Sequence, residues 1–238
     1  MIKVLRRAAL SLALVAAALP SFANIVVNGT RVIYEEGARE QTVRMTNRGT
    51  TPVLVQAWID ENAGNKNPED ARSPFLMTPA VFRLDGDKGQ ALRIKQIDSK
   101  MPTDKESVYW LNILEVPVKP QAENYLQMAI RTRLKLFYRP KGLAGQANDQ
   151  AKQLTWRMVR EDGKTFIEGS NPTPLHASLT QLKLKSGTVE SEAIDADMIE
   201  PFGKHRWPVD MKGTPTTLNF GLVNDYGAVL LQDAPIAP

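Results

Sequence analysis

Polar and apolar residues exchange places at every second position along much of this chain. Residues 124–140 show the pattern best. Leu126, Met128, Ile130, Thr132 and Leu134 fall on one face of an extended strand, and Arg131, Arg133 and Lys135 fall on the other. Shorter runs cover 25–34, 41–46, 53–59, 81–84, 90–97 and 108–116, with turn residues between them. Asn47-Arg-Gly49 closes one run. Asp85-Gly-Asp-Lys-Gly89 reads as a hairpin turn joining the runs on either side of it. No long helical period appears. β-branched and aromatic enrichment with frequent turns predicts an all-β chain.

Pro140 ends the long strand, because proline has no N–H to give the ladder. Residues 141–148 read as a linker. A second series of short runs follows at 154–159, 166–167, 177–184, 193–194, 205–209, 217–223 and 229–232, with a turn at Asp162-Gly163. Two β-sandwich domains account for this, one over 24–140 and one within 141–238, whose folded part begins near 146. One elongated β domain is the alternative.

The first residues change the charge argument. Lys3, Arg6 and Arg7 precede an apolar stretch at 8–19, and Pro20 and Ser21-Phe-Ala23 follow. This reads as a secretory signal over 1–23, too short to span a bilayer comfortably, with Asn24 as the first mature residue. The formal net charge of +4 includes those three basic residues, so the remainder carries about +1. Nothing in that balance calls for nucleic acid or a membrane surface. The chain has no cysteine, so an exported fold must be held by apolar cores large enough to need no disulfide. Thiolate metal sites and cysteine nucleophiles are excluded.

Catalytic patterns are thin. There is no phosphate-binding glycine loop, zinc-binding His-Glu-x-x-His or Gly-x-Ser-x-Gly elbow. His176 and His205 lie in different runs and read as packing or surface residues. The spacing of 85–89 lacks a full calcium ligand set. Glu192, Asp195 and Asp197 read as a solvated edge. Trp58, Trp110, Trp156 and Trp207 are scattered and read as core. The row Arg131, Arg133 and Lys135 is either a solvated face or one wall of a carboxylate-binding cleft.

Several segments, in order, resemble the periplasmic chaperones of pilus and fimbria assembly. They are Asn28-Gly-Thr-Arg-Val-Ile-Tyr34, Gln56-Ala-Trp-Ile-Asp60, Thr78-Pro-Ala-Val-Phe-Arg-Leu84, Gln90-Ala-Leu-Arg93, the stretch 104–117, Leu134-Lys-Leu-Phe-Tyr-Arg-Pro140, Asn171-Pro-Thr-Pro174 and Val223-Asn-Asp-Tyr-Gly227. The resemblance implies two immunoglobulin-like domains around a cleft, and a long G strand lent to a subunit that lacks its own last strand. An outer-membrane usher then receives the subunit by strand exchange. Arg31 and Lys135 match the pair that holds the subunit's C-terminal carboxylate. Leu126, Met128 and Ile130 match the row that enters the subunit's groove. Arg93, Glu106 and Asp225 match an internal charge network joining the domains. The short segment 117–123 resembles the short-loop branch associated with rod-like pili. The resemblance implies a periplasmic location, no cofactor and no enzymatic activity. Self-association through the exposed G strand is a further expectation.

Two other classes compete. A secreted adhesin or pilus subunit would also be β-rich, but its donor segment should be N-terminal, whereas here the alternating strand is internal and a second domain follows it. An exported hydrolase or carbohydrate-binding domain would use the tryptophans and carboxylates, which form no coherent acid–base or metal set.

Overall fold

Within Gln41–Asn47, Val43, Met45 and Asn47 are buried while Thr42 and Arg44 are exposed. That period of two recurs from strand to strand and gives each sheet one apolar face. The computed structural model describes residues 24–61, 64, 67–98, 100–119, 125–143, 147–211 and 213–237. The signal-like segment 1–23 and residues 120–124, most of the short loop, lie outside the described residues.

The first domain contains β1 (Ile25–Val27), β2 (Arg31–Glu35), β3 (Gln41–Asn47), β4 (Val53–Asp60), β5 (Phe75–Thr78), β6 (Val81–Leu84), β7 (Gly89–Gln96), β8 (Ser107–Pro117) and β9 (Ile130–Arg139). One sheet has the order β1-β3-β7-β5 and the other β2-β9-β8-β4-β6. Val43, Met45, Leu92 and Ile94 of the first sheet share a core with Val55, Leu111, Ile113 and Leu136 of the second. Burying each such side chain contributes about 1.5–3 kcal/mol against chain entropy.

Two strand expectations need correction. β6 pairs with β4 and β7 pairs with β3, so 85–89 is a crossover between sheets and not a hairpin turn. The apolar run on each side belongs to a different layer, which period-two patterning cannot reveal. The long strand also begins later than the alternation. β9 starts at Ile130, opposite Glu115 of β8, and residues 125–129 are outside any strand.

The second domain contains β10 (Thr155–Glu161), β11 (Lys164–Ser170), β12 (Ala177–Ser186), β13 (Val189–Glu190), β14 (Ile194–Asp195), β15 (Met198–Ile199), β16 (Lys204–Pro208), β17 (Thr217–Val223) and β18 (Val229–Pro235). A sheet β10-β11-β16 faces the sheet β13-β12-β17-β18, with β14 and β15 also on β12. β10 and β11 form a two-residue hairpin at Asp162 (φ 51°) and Gly163 (φ 73°), the left-handed pair that suits strand twist. Trp156 packs on Phe220 at 5.2 Å and on Trp207 at 6.1 Å, inside a core separate from the first. The chain is thus all-β, with two sandwiches that each bury a core without a disulfide.

Candidate functional site

β2 and β9 run parallel and place Arg31 directly opposite Lys135. This pairing covers β9 only from Lys135 to Arg139. The residues before it, 130–134, pair with β8 on one side and have no strand on the other among the described residues. β9 therefore carries an open edge whose N–H and C=O groups suit an added strand. The even-numbered row runs out of the core toward that end. Leu134 is 8% exposed, Ile130 37%, Met128 64% and Leu126 85%. An apolar row that leaves its own core in this graded way is costly in water unless another surface covers it.

The odd-numbered residues form the opposite face. Trp110 of β8 pairs with Lys135, and both Arg133 (4.5 Å) and Lys135 (5.7 Å) lie over its ring. Trp110 is therefore half-buried and supports the cations, unlike the buried Trp58, Trp156 and Trp207. The Arg31 guanidinium lies 5.6 Å from the Phe137 ring, and Nη1 donates to the Val223 carbonyl of the second domain at 3.1 Å. Its Nε is buried without a protein partner. Burial lowers the Arg31 pKa, while Asp225 and Glu106 pull it back up. A buried donor without an acceptor is a demand for one, and a carboxylate answers it with charge as well as geometry. Lys135 Nζ lies 3.3 Å from Asp197 Oδ1, which reaches across from the second domain.

Behind these cations the domains are joined by buried charge. Glu106, just ahead of β8, is 3% exposed. Its Oε1 accepts from Arg139 Nη2 (2.8 Å) and Nε (3.1 Å), and its Oε2 accepts from the backbone N–H of His176 (2.9 Å). His176 Nδ1 is also 2.9 Å from Oε2. Arg139 grips Asp225 with both terminal nitrogens, at 2.7 and 2.9 Å. Burial pulls the Arg139 pKa down, but the Asp225 hydrogen bonds and the Glu106 charge outweigh it and raise the value. Each buried charge in this group has a partner, which is what makes its burial tolerable. Glu106 N–H also donates to the Pro174 carbonyl at 2.9 Å.

The structure thus brings Arg31 next to Lys135, and Glu106 next to Asp225. It does not bring Arg93 to either carboxylate. Arg93 is exposed on β7 in the other sheet, opposite Thr42 and Thr78, so Arg139 is the cation that closes the network. Sequence reasoning also missed His176, Trp110 and Asp197. Arg139 could have been found from its parity with Lys135, which puts it on the same face of β9. His176 and Asp197 depend on how the domains meet, for which the sequence carries no local signal, whereas Trp110 meets its cations through the pairing of β8 with β9 inside the first domain.

Residues 24–144 match the family described as "Pili and flagellar-assembly chaperone, PapD N-terminal domain", and residues 149–233 match "Pili assembly chaperone PapD, C-terminal domain". The chain belongs to this family of pilus-assembly chaperones. It is 40% identical to the chaperone protein FimB/FhaD of Bordetella pertussis, over 97% of this chain and 96% of that one. It is 38% identical to the probable fimbrial chaperone YadV of Escherichia coli, over 90% of each chain. The crystal structure of YadV chaperone superposes with a TM-score of 0.77 at 35% identity, covering 89% of this chain and 99% of that one. A chain in the solved complex of Salmonella enterica SafA pilin with the SafB chaperone superposes with a TM-score of 0.73 at 26% identity, covering 91% and 98%. The two sandwiches are immunoglobulin-like domains of this chaperone type.

Proposed function

We propose that this protein captures pilus or fimbrial subunits in the periplasm, keeps them from aggregating, and delivers them to an outer-membrane usher. The observation that carries this reading is the continuity of β9. β9 presents Lys135 opposite Arg31 and, toward its start, an open edge at Ile130, and the segment leading into it extends the apolar row to Met128 and Leu126. Arg31 and Lys135 hold the subunit's terminal carboxylate, the arginine with directional donors and the lysine with a compact charge. That anchor sets the register in which Ile130, Met128 and Leu126 enter the subunit's groove, since a slip of one residue would turn the whole row away. Glu106, Arg139 and Asp225 hold the domain angle that shapes the cleft. The family membership and the pilin complex of a relative support this assignment.

In this reading the protein is a binding protein with no reaction of its own and needs no cofactor. The energy for transfer comes from the better complementation a subunit gains when another subunit's strand replaces that of the chaperone. Without a subunit, the same open edge is the route by which two copies would pair.

The test is purification of the native protein from its host, with co-purifying chains identified by mass spectrometry. A one-to-one complex with a small pilin-like chain, lost on Arg31→Ala/Lys135→Ala, is expected. A folded protein that carries no such chain while its pilus genes are expressed would overturn the proposal.

A further inference from the structure

The cleft already contains a carboxylate, and it belongs to this chain. Asp197 Oδ1 lies 3.3 Å from Lys135 Nζ. The two partners differ in how they are held. The Lys135 side chain is 20% exposed, built into β9 and laid against Trp110, whereas the Asp197 side chain is 79% exposed. The backbone around Asp197 is nevertheless fixed. Its carbonyl accepts from Leu179 N–H at 3.3 Å, Ala196 N–H donates to Thr180 O at 3.3 Å, and Met198 pairs with Ser178. The edge of β12 thus delivers this carboxylate to the cleft, and the side chain alone is free to leave. Arg31 takes no part in the contact. Its Nη1 is on Val223 and its Nε has no protein partner.

We infer that Asp197 is a built-in competitor at the anchor, a residue that occupies Lys135 in the free protein and sets which ligands can claim it. This rests on the reading of Arg31 and Lys135 as the carboxylate anchor. A ligand carboxylate that reaches both cations gains more than Asp197, which holds one through a single oxygen. A ligand without a carboxylate has nothing with which to displace it. Asp197 therefore lowers affinity for the correct ligand by a small amount and keeps a strong cation neutralised until that ligand arrives. Such a device uses repulsion and competition as well as attraction to gain specificity. Because Asp197 is mostly exposed, water and salt screen the contact, and its removal should change affinity only about 1.5- to 5-fold.

The experiment compares the intact protein with its Asp197→Asn variant. The probes are two versions of one synthetic peptide of alternating Val and Thr with a solubilising N-terminal Lys pair, one ending in a free carboxylate and the other in an amide. Binding is measured by calorimetry at low salt. The wild type should prefer the acid form. In Asp197→Asn, affinity for the acid form should rise about 1.5- to 5-fold, with the amide form unchanged and the gain shrinking as salt is added. If the wild type prefers the acid but the variant leaves that preference unaltered, the competitor role is wrong and the anchor stands. If the wild type does not distinguish acid from amide, the anchor itself is wrong and Asp197 competes with nothing. Thermal unfolding of the variant checks the fold, and an exposed isosteric change should leave it intact.

Discussion

Arg31 and Lys135 are neighbours because β2 joins β9 in parallel, in a register that sets the two residues opposite each other. Residues more than a hundred positions apart thereby face each other across one pair of strands, and in the proposed function they share the subunit's terminal carboxylate. Lys135→Met keeps the stem that lies against Trp110 and removes only the charge. It should weaken subunit capture about tenfold to a hundredfold, the value of a charged hydrogen bond, and leave the melting temperature nearly unchanged. Arg31→Lys should lose as much, since an ammonium cannot reproduce the guanidinium fork. Calorimetry with a purified pilin-type subunit, beside thermal unfolding of each variant, checks both.

The apolar row runs from the core end of β9 into the segment before it, and in the proposed function this separates capture from stability. Met128 is 64% exposed and Leu134 8%. Met128→Asp should abolish capture while changing unfolding free energy by less than about 0.5 kcal/mol, as expected for a surface site. Leu134→Asp should unfold the first domain, because it buries an unpaired charge. Denaturant unfolding of both variants, followed by capture with the one that folds, gives the comparison. Equal loss of stability in both would mean that Met128 is part of the core.

Much of this was legible in the sequence, and the boundary between legible and hidden follows from range. The alternation of 126–134 named the row, because strand parity is local. It could not say that β9 begins only at Ile130, since a strand exists where its pairing does, and β8 pairs with β9 only as far as Glu115 although it continues to Pro117 against β4. The turn at 85–89 shows the same limit, with a local signal that was right about a turn and silent about which sheet comes next. Arg31 beside Lys135 came from resemblance and not from pattern, because their meeting is a parallel pairing of distant segments. Asp197 and His176 depend on the docking of one domain against the other, and both looked ordinary as sequence.

Arg139 and Arg93 give a direct test of which cation joins the domains. Arg139→Ala would leave Glu106 and Asp225 without their shared partner, with Glu106 almost fully buried. Removing one member of such a group should cost about 3–5 kcal/mol. Arg93→Ala, at an exposed strand position, should stay within about 0.5 kcal/mol of wild type. Denaturant unfolding measures both. A large loss for Arg93→Ala with none for Arg139→Ala would restore the expectation drawn from resemblance.

The second domain should carry its own acid sensitivity. Glu168 is buried between Arg206 (2.6 Å) and Arg157 (2.8 Å). The Arg206 hydrogen bond lowers its pKa, burial opposes this, and Arg157 adds to the lowering. A carboxylate whose folded value lies below its ordinary value of 4.5 stabilises the fold fully above that pH, and its contribution is lost as pH falls through the lower folded value. Glu168→Gln should therefore flatten the acid limb of stability below about pH 4.5 and lower stability at neutral pH. Unfolding followed by the fluorescence of Trp156 and Trp207 at a series of pH values reads this out. An unchanged acid limb would show that Glu168 is not a source of it.

Gly227 tests the domain junction through backbone shape. It has φ +83°, a left-handed value that suits glycine, and a Cβ built there would strike the Thr30 side chain of the first domain. Gly227 also follows Asp225 closely, so any shift there pulls on the contact with Arg139. Gly227→Ala thus combines two penalties, a strained φ and a clash across the junction, and should cost about 1–3 kcal/mol. The two separate in a cycle with Thr30→Ala. Removing the threonine hydroxyl makes room for the new methyl but leaves φ unchanged, so the double variant should recover part of the loss and not all of it. In the proposed function the junction holds the cleft in which Arg31 and Lys135 meet the ligand, so subunit capture should follow the same order. Full recovery in the double variant would assign the whole effect to the clash. No recovery would assign it to the loop's own backbone, leaving Thr30 without a part in setting the junction.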